Sequence, residues 1–189
     1  MPAQFWESLI DATAPWTAAG TTWSTVTTIG DVSPQPDFTF PANWWYPGAC
    51  LRIRANGHMN TSATATNLTM ALYWGATNTA GVLSSGTMLS TTGAVPMAAT
   101  AITGAPWLLE SYIQCRTVGA TGTFATLGFF KMVATGGLTL TDFPMPLNTW
   151  AVVTVSTAAA TTLALGATLS QVTGAPSVTC DHWLLEALN

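Results

Sequence analysis

The chain has 189 residues, of which 4 are Lys or Arg and 8 are Asp or Glu. So small a charged share, joined to abundant Trp, Phe, Val and Leu, excludes a disordered polyelectrolyte. No run of about 18 to 20 apolar residues suggests a membrane-spanning helix, and a net charge of -4 offers no basic stripe to a phosphate backbone.

A free monomer would want more surface charge than this. The expectation is a surface of Thr, Ser and Ala that neighbours cover in an assembly. Three evenly spaced cysteines, Cys50, Cys115 and Cys180, form no C-x-x-C pair and read as buried free thiols. The start, MPAQFWESLIDA, lacks a basic n-region and reads as no secretory signal. The sequons at Asn60 and Asn67 are therefore taken as chance.

Residues 1–20 read as an N-terminal docking arm. Phe5, Trp6 and Ile10, with Trp16 beyond Pro15, give it apolar weight. It is either a short helix or an extended segment against its own domain or a neighbour. Residues 21–189 read as one β-domain. Thr21 to Thr28 is rich in β-branched residues and predicts a strand. Asp37 to Phe40 is a short extended piece.

Pro41 to Gly48 is a turn-rich entry holding Trp44, Trp45 and Tyr46. This cluster reads as a strand-entry or subunit-contact group. A strand follows from Cys50, with Leu51, Ile53 and Ala55 alternating with Arg52, Arg54 and Asn56. Alternation sends the two arginines to the face opposite the apolar trio. Acids on adjacent strands, Glu110 among them, are candidate partners for Arg52 and Arg54, within the chain or across a subunit contact. Gly57 is expected to break this strand, leaving His58 to Asn67 as a polar connection.

Thr66 to Trp74 alternates cleanly and predicts a strand, and Val82-Leu83 a short one. Ser84 to Gly104 reads as loops and short edge strands. Pro106 to Val118 is a long strand, with Trp107, Leu109, Ser111, Ile113 and Cys115 on one face. Gly119 to Gly122 reverses the chain into a partner strand, Thr123 to Val133. Apolar residues on both faces of that partner predict cover on both sides. Leu138 to Leu140 is a possible short strand, and the prolines at 144 and 146 make Asp142 to Asn148 a loop. Trp150 to Ser156, Thr162 to Leu169 and Val178 to Leu188 complete the set. About eight to ten antiparallel strands at turn-punctuated spacing predict a jelly-roll-like β-sandwich, all-β, with an N-terminal arm.

Chemistry is sparse. Asp181-His182 joins an acid to a base, but neighbours on a regular strand face opposite ways. No G-x-S-x-G elbow, calcium loop or paired carboxylates is present. No catalytic, cofactor or metal residue is therefore assigned, and no enzyme is expected.

Four segments carry a family signal in order: PANWWYPGACLRIRANGHMNT, LTMALYWGATNTAGVLSSG, WLLESYIQCRTVGATGTFATLG and HWLLEALN. The matching positions are Pro41-Ala42-Asn43, Tyr46-Pro47-Gly48, Leu51-Arg52-Ile53-Arg54 and Trp74-Gly75. Further on they are Cys115 to Gly119 with Gly122-Thr123, and Glu186-Ala187-Leu188-Asn189. In this order the chain resembles a family of structural proteins of tailed bacteriophages, mostly of actinobacteria, labelled minor capsid, head decoration or minor tail proteins. Ala76 stands where the family pattern has a second Gly, and the residues before Asp37 lie outside the match.

The resemblance implies a β-sandwich, self-association and no catalysis. The resulting expectation is a capsid decoration (cement) subunit on the virion exterior, assembled in the host cytoplasm. Its expected partners are its own copies, as a homotrimer, and the major capsid protein, without nucleic acid or membrane. Phe5, Trp6, Ile10, Trp16, Trp44, Trp45 and Tyr46 are the candidate contacts, with Arg52 and Arg54. The alternative is a minor tail or baseplate protein that binds a host surface glycan.

Overall fold

A computed structural model describes residues 6–12, 16–19, 27–28, 38–79, 82–133, 140–146, 152–170 and 173–188. Among them are sixteen strands and no helix. In chain order these begin with β1 (Trp6–Ala12), β2 (Trp16–Ala19), β3 (Thr27–Thr28), β4 (Phe38–Phe40), β5 (Cys50–Asn60) and β6 (Asn67–Trp74). Then come β7 (Thr77–Thr79), β8 (Val82–Ser84), β9 (Thr87–Thr91), β10 (Val95–Pro96) and β11 (Ala105–Thr117). The last are β12 (Gly122–Val133), β13 (Leu140–Met145), β14 (Val152–Val155), β15 (Thr161–Leu169) and β16 (Ser177–Leu188).

They form two antiparallel sheets packed against each other, the β-sandwich expected from the sequence. The first sheet runs β1-β16-β5-β11-β12-β13, with β2 also on β16 and β14 also on β12. The second runs β10-β6-β15-β3-β8-β7, with β4 also on β15 and β9 also on β6. The chain changes sheets after β2, β4, β5, β10, β14 and β15.

Alternation builds the core. On β5, Leu51, Ile53 and Ala55 are fully buried while the arginines between them face outward. On β11 the buried set is Trp107, Leu109, Ser111, Ile113 and Cys115, the set the pattern predicts. One large cluster joins both inner faces. At its centre Trp45 packs on Phe40, Trp74 and Phe124, with ring centroids 5.2, 5.7 and 4.5 Å away. Such tilted pairs add to burial itself, because ring edges meet ring faces.

Four expectations change. Gly57 does not break β5, which runs on through His58 to Asn60. A Cβ at Gly57 would lie 1.9 Å from the Thr179 carbonyl oxygen, so glycine permits a close backbone approach within the sheet. Pro144 does not make a loop. It sits in β13 opposite Phe129, at a sheet edge where a missing N–H costs no ladder bond. The face of β12 away from the core is not covered throughout, because Leu127 is 64% exposed.

Finally, the described parts of the first twenty residues, β1 and β2, are strands of the first sheet. The helical option for the arm gives way to the extended one: β1 pairs with Trp183–Leu188 and β2 with Ser177–Cys180, both along β16. Two short segments thus close this edge of the first sheet. Phe5 and most of the strand expected over residues 21–28 lie outside the described residues.

Candidate functional site

Among the described residues, charge is confined to one sheet. Every Lys, Arg, Asp and Glu among the described residues belongs to a strand of the first sheet. The strands of the second sheet carry none. Part of that uncharged sheet is covered by its own chain, where Leu83 packs with Ala76, Ala164 and Tyr73.

The outward face of the first sheet is a grid set by register. Leu184, Arg54, Glu110, Phe129 and Pro144 form one row across five strands. Glu186, Arg52, Tyr112 and Leu127 form the row beside it. Cross-strand neighbours in a row stand close enough to pair, and they do. The Arg52 Nε donates to Glu186 Oε2 at 2.6 Å, and a second guanidinium nitrogen reaches the same oxygen at 2.6 Å. Arg54 Nε meets Glu110 Oε2 at 3.3 Å, and the Tyr112 hydroxyl donates to Glu110 Oε1 at 2.7 Å. Farther out, Lys131 pairs with Asp142 at 3.2 Å and stands over the Phe129 ring.

These contacts tune the groups. The hydrogen bond to Glu186 raises the Arg52 pKa above its ordinary value, and the bond to Glu110 raises that of Tyr112. Tyr112 is thereby held in its protonated form, which suits a structural donor and not a nucleophile. The expected Arg54–Glu110 pairing is present. Glu186 as the partner of Arg52 was not read from the sequence, because a register between segments so far apart leaves no local signal.

Asp181 and His182 depart from the alternation assumed for them. A bulge between Cys180 and His182 interrupts the register with β5. Asp181 Oδ2 lies 2.9 Å from His58 Nδ1, on the outward face, while His182 stands opposite Asn56 on that same face. The acid thus serves His58, in an open position with side chains 43% and 41% exposed.

The three cysteines are free. Burial pushes each thiol pKa up, that of Cys180 to about 12. Cys50 borders a shallow, mostly apolar hollow of about 250 Å³ with Tyr112, Gln114, Ala125 and Leu127. A protonated thiol and no second reactive group there give it no evident chemistry. Among the described residues no group of three or more His, Cys, Asp or Glu gathers as a metal site.

The aromatic candidates separate. Trp45 is buried in the core at 5% exposure, so it is unavailable for a subunit contact. Trp44 is half-buried against that core, and Tyr46 is 50% exposed. Trp6, Ile10 and Trp16 lie in β1 and β2. Arg52 and Arg54 lie in the charged grid.

The turn motifs of the family signal meet at one end of the sandwich. Gly48 N donates to Cys115 O and Cys115 N to Ala49 O, each at 2.8 Å, locking the Tyr46-Pro47-Gly48 turn to β11. Gly119, at φ +115, accepts from Gly122 N and Thr157 N at 3.2 and 3.0 Å. These motif residues are joints of the fold.

Fold and site together define a two-sheet β-sandwich with an ion-paired outer face. No family model, no curated protein and no solved structure matches the chain.

Proposed function

We propose that this chain is a bacteriophage virion structural protein, a capsid decoration subunit that self-associates and stabilises the head. The observation that carries the reading is the division of charge between the sheets. A sheet whose described strands carry no ionised group favours association over solution as a free chain and suits a position against neighbours. The ordered turn and strand motifs support the same reading, since they resemble those of phage minor capsid and decoration proteins.

Such a subunit works by burial. At about 25 cal/mol per Å² of apolar surface removed from water, repeated contacts add cohesion to a shell without any reaction. The test is the copy number per purified particle, by quantitative mass spectrometry against the major shell protein. Hundreds of copies support decoration. A few to a few dozen move the protein to the tail, where a host glycan is the expected ligand. Absence from particles overturns the virion reading.

A further inference from the structure

The charged face carries a pattern that its ion pairs alone do not require. Taken strand by strand from β16 to β13, the signs alternate. β16 presents Glu186 and Asp181, β5 presents Arg52 and Arg54, β11 presents Glu110, β12 presents Lys131, and β13 presents Asp142. Arg116, also on β11, lies beyond Gln114, the last β11 residue in register with β5. Over the four central strands, β16, β5, β11 and β12, the signs are therefore antisymmetric about the line between β5 and β11, while the two edge strands, β1 with Glu7 and Asp11 and β13 with Asp142, are both acidic.

An antisymmetric stripe pattern is complementary to itself. We infer that a second copy of this chain packs on this face about a two-fold axis parallel to the strands, between β5 and β11. The axis lays Arg54 over the second copy's Glu110 and Glu110 over the second copy's Arg54. In the same row, Leu184 meets Phe129 of the second copy. In the next, Arg52 meets the ring of Tyr112, and exposed Leu127 lies over Glu186. A two-fold contact uses the same patch on both copies, which antisymmetry provides. The trimer expected from the sequence needs two different patches and gains nothing from it.

The exposures agree. The Arg54 side chain is 45% and Asp142 65% exposed, so the pairs within the chain leave donors and acceptors open. Leu127 is the most exposed of the large apolar side chains described, at 64%. Four strands about 4.8 Å apart and about eight residues of roughly 3.3 Å rise make a patch near 500 Å². Two such patches bury on the order of 1,000 Å², the size of a weak, reversible interface. Aligned sheets cross at about 30°, which favours the central rows and separates the corners, where Lys131 would approach His182.

This inference deepens the self-association in the proposal above and does not depend on the virion. The experiment is sedimentation velocity on the purified chain across a concentration series. The wild type should dimerise reversibly. Arg54→Glu and Glu110→Arg should each weaken the dimer about tenfold or more, and mixing the two should restore it as a heterodimer. Each variant keeps its own repulsive pair within the chain, so recovery on mixing can only come from contacts between chains. Leu127→Glu should weaken association and Leu127→Lys should tighten it, through the second copy's Glu186. A wild type monomeric at every concentration, variants that dimerise unchanged, or no recovery on mixing overturns the inference. None of those results alters the copy number on particles, which judges the virion reading separately.

Discussion

The Trp107 indole N–H donates to the Thr179 carbonyl at 3.0 Å, reaching from β11 to β16 across the strand between them. Gly57 is the residue crossed, in register with both Trp107 and Cys180. The bulge after Cys180 and the missing side chain at Gly57 belong to one device, which links three strands through one hydrogen bond. Gly57→Ala would place a methyl 1.9 Å from the Thr179 oxygen, a backbone contact that cannot rotate away. Overpacking and loss of the bond together should cost about 3 kcal/mol or more, read from the midpoint of urea unfolding. A cost below about 1 kcal/mol would show that the strands separate freely here.

The adjoining tryptophans and tyrosine should give a graded series. Trp45→Ala empties the centre of the aromatic cluster and should cost about 3 to 5 kcal/mol. Trp44→Ala, half-buried at the margin, should cost less. Tyr46→Ala, at 50% exposure, should fall within about 0.5 kcal/mol of wild type. Equal losses at all three would place the cluster in one environment, against the burial described. Thermal unfolding of the three variants in one buffer decides it.

This series marks what the sequence could reveal. The strand faces of β5 and β11 were legible, because a period of two in Leu51 to Asn56 and Trp107 to Arg116 reports directly on burial. Trp44 and Trp45 were not separable, because an irregular turn has no period to say which ring points inward. Gly57 and Pro144 were misread for a related reason. Each is a strand breaker by intrinsic preference, and each is accommodated by tertiary context: the close Thr179 carbonyl for one, the position of β13 at the end of the described strand order for the other. The Arg54–Glu110 pair was suggested by the alternation that sets both arginines on one strand face, open to acids on adjacent strands. The alternating stripes needed the strand order, which composition does not contain.

Cys180 predicts a pH dependence. Burial holds its thiol protonated in the fold, with the pKa raised from 9.0 to about 12. A group raised in the folded state contributes fully below its unfolded pKa and loses that contribution as pH climbs towards the folded value. Stability should therefore fall between about pH 9 and pH 12. Cys180→Ser should flatten that part of the profile, at the cost of burying a hydroxyl. Thiol alkylation of the native chain at pH 8 should modify half-exposed Cys50 first and spare Cys115 and Cys180 until the chain unfolds. Early labelling of Cys180 would contradict its burial.

Removal of the first nineteen residues tests whether that segment is part of the sandwich or only a tether. β16 would lose β1 along Trp183–Leu188 and β2 along Ser177–Cys180. The backbone groups facing them would then form an open strand edge, which invites pairing with other chains. The truncated chain should unfold at lower denaturant and aggregate on concentration. A separable tether predicts the opposite: unchanged stability, with only particle binding lost.

The uncharged sheet gives the sharpest test of docking. Thr69 and Thr168 face each other across β6 and β15, half-exposed and on the outward side, since Leu68, Met70, Ala167 and Leu169 beside them are buried. A lysine at Thr69 can extend its ammonium into solvent in the isolated chain, so folding stability should change by no more than about 0.5 kcal/mol. Against a neighbour that offers no carboxylate, the same ammonium must be desolvated without a partner, which costs several kcal/mol. Thr69→Lys should therefore fold normally and fail to decorate particles in a competition with wild type. Full incorporation of the variant would place the particle contact on another face. Thr69→Ser, smaller and uncharged, should incorporate as wild type does, which separates the effect of charge from that of shape.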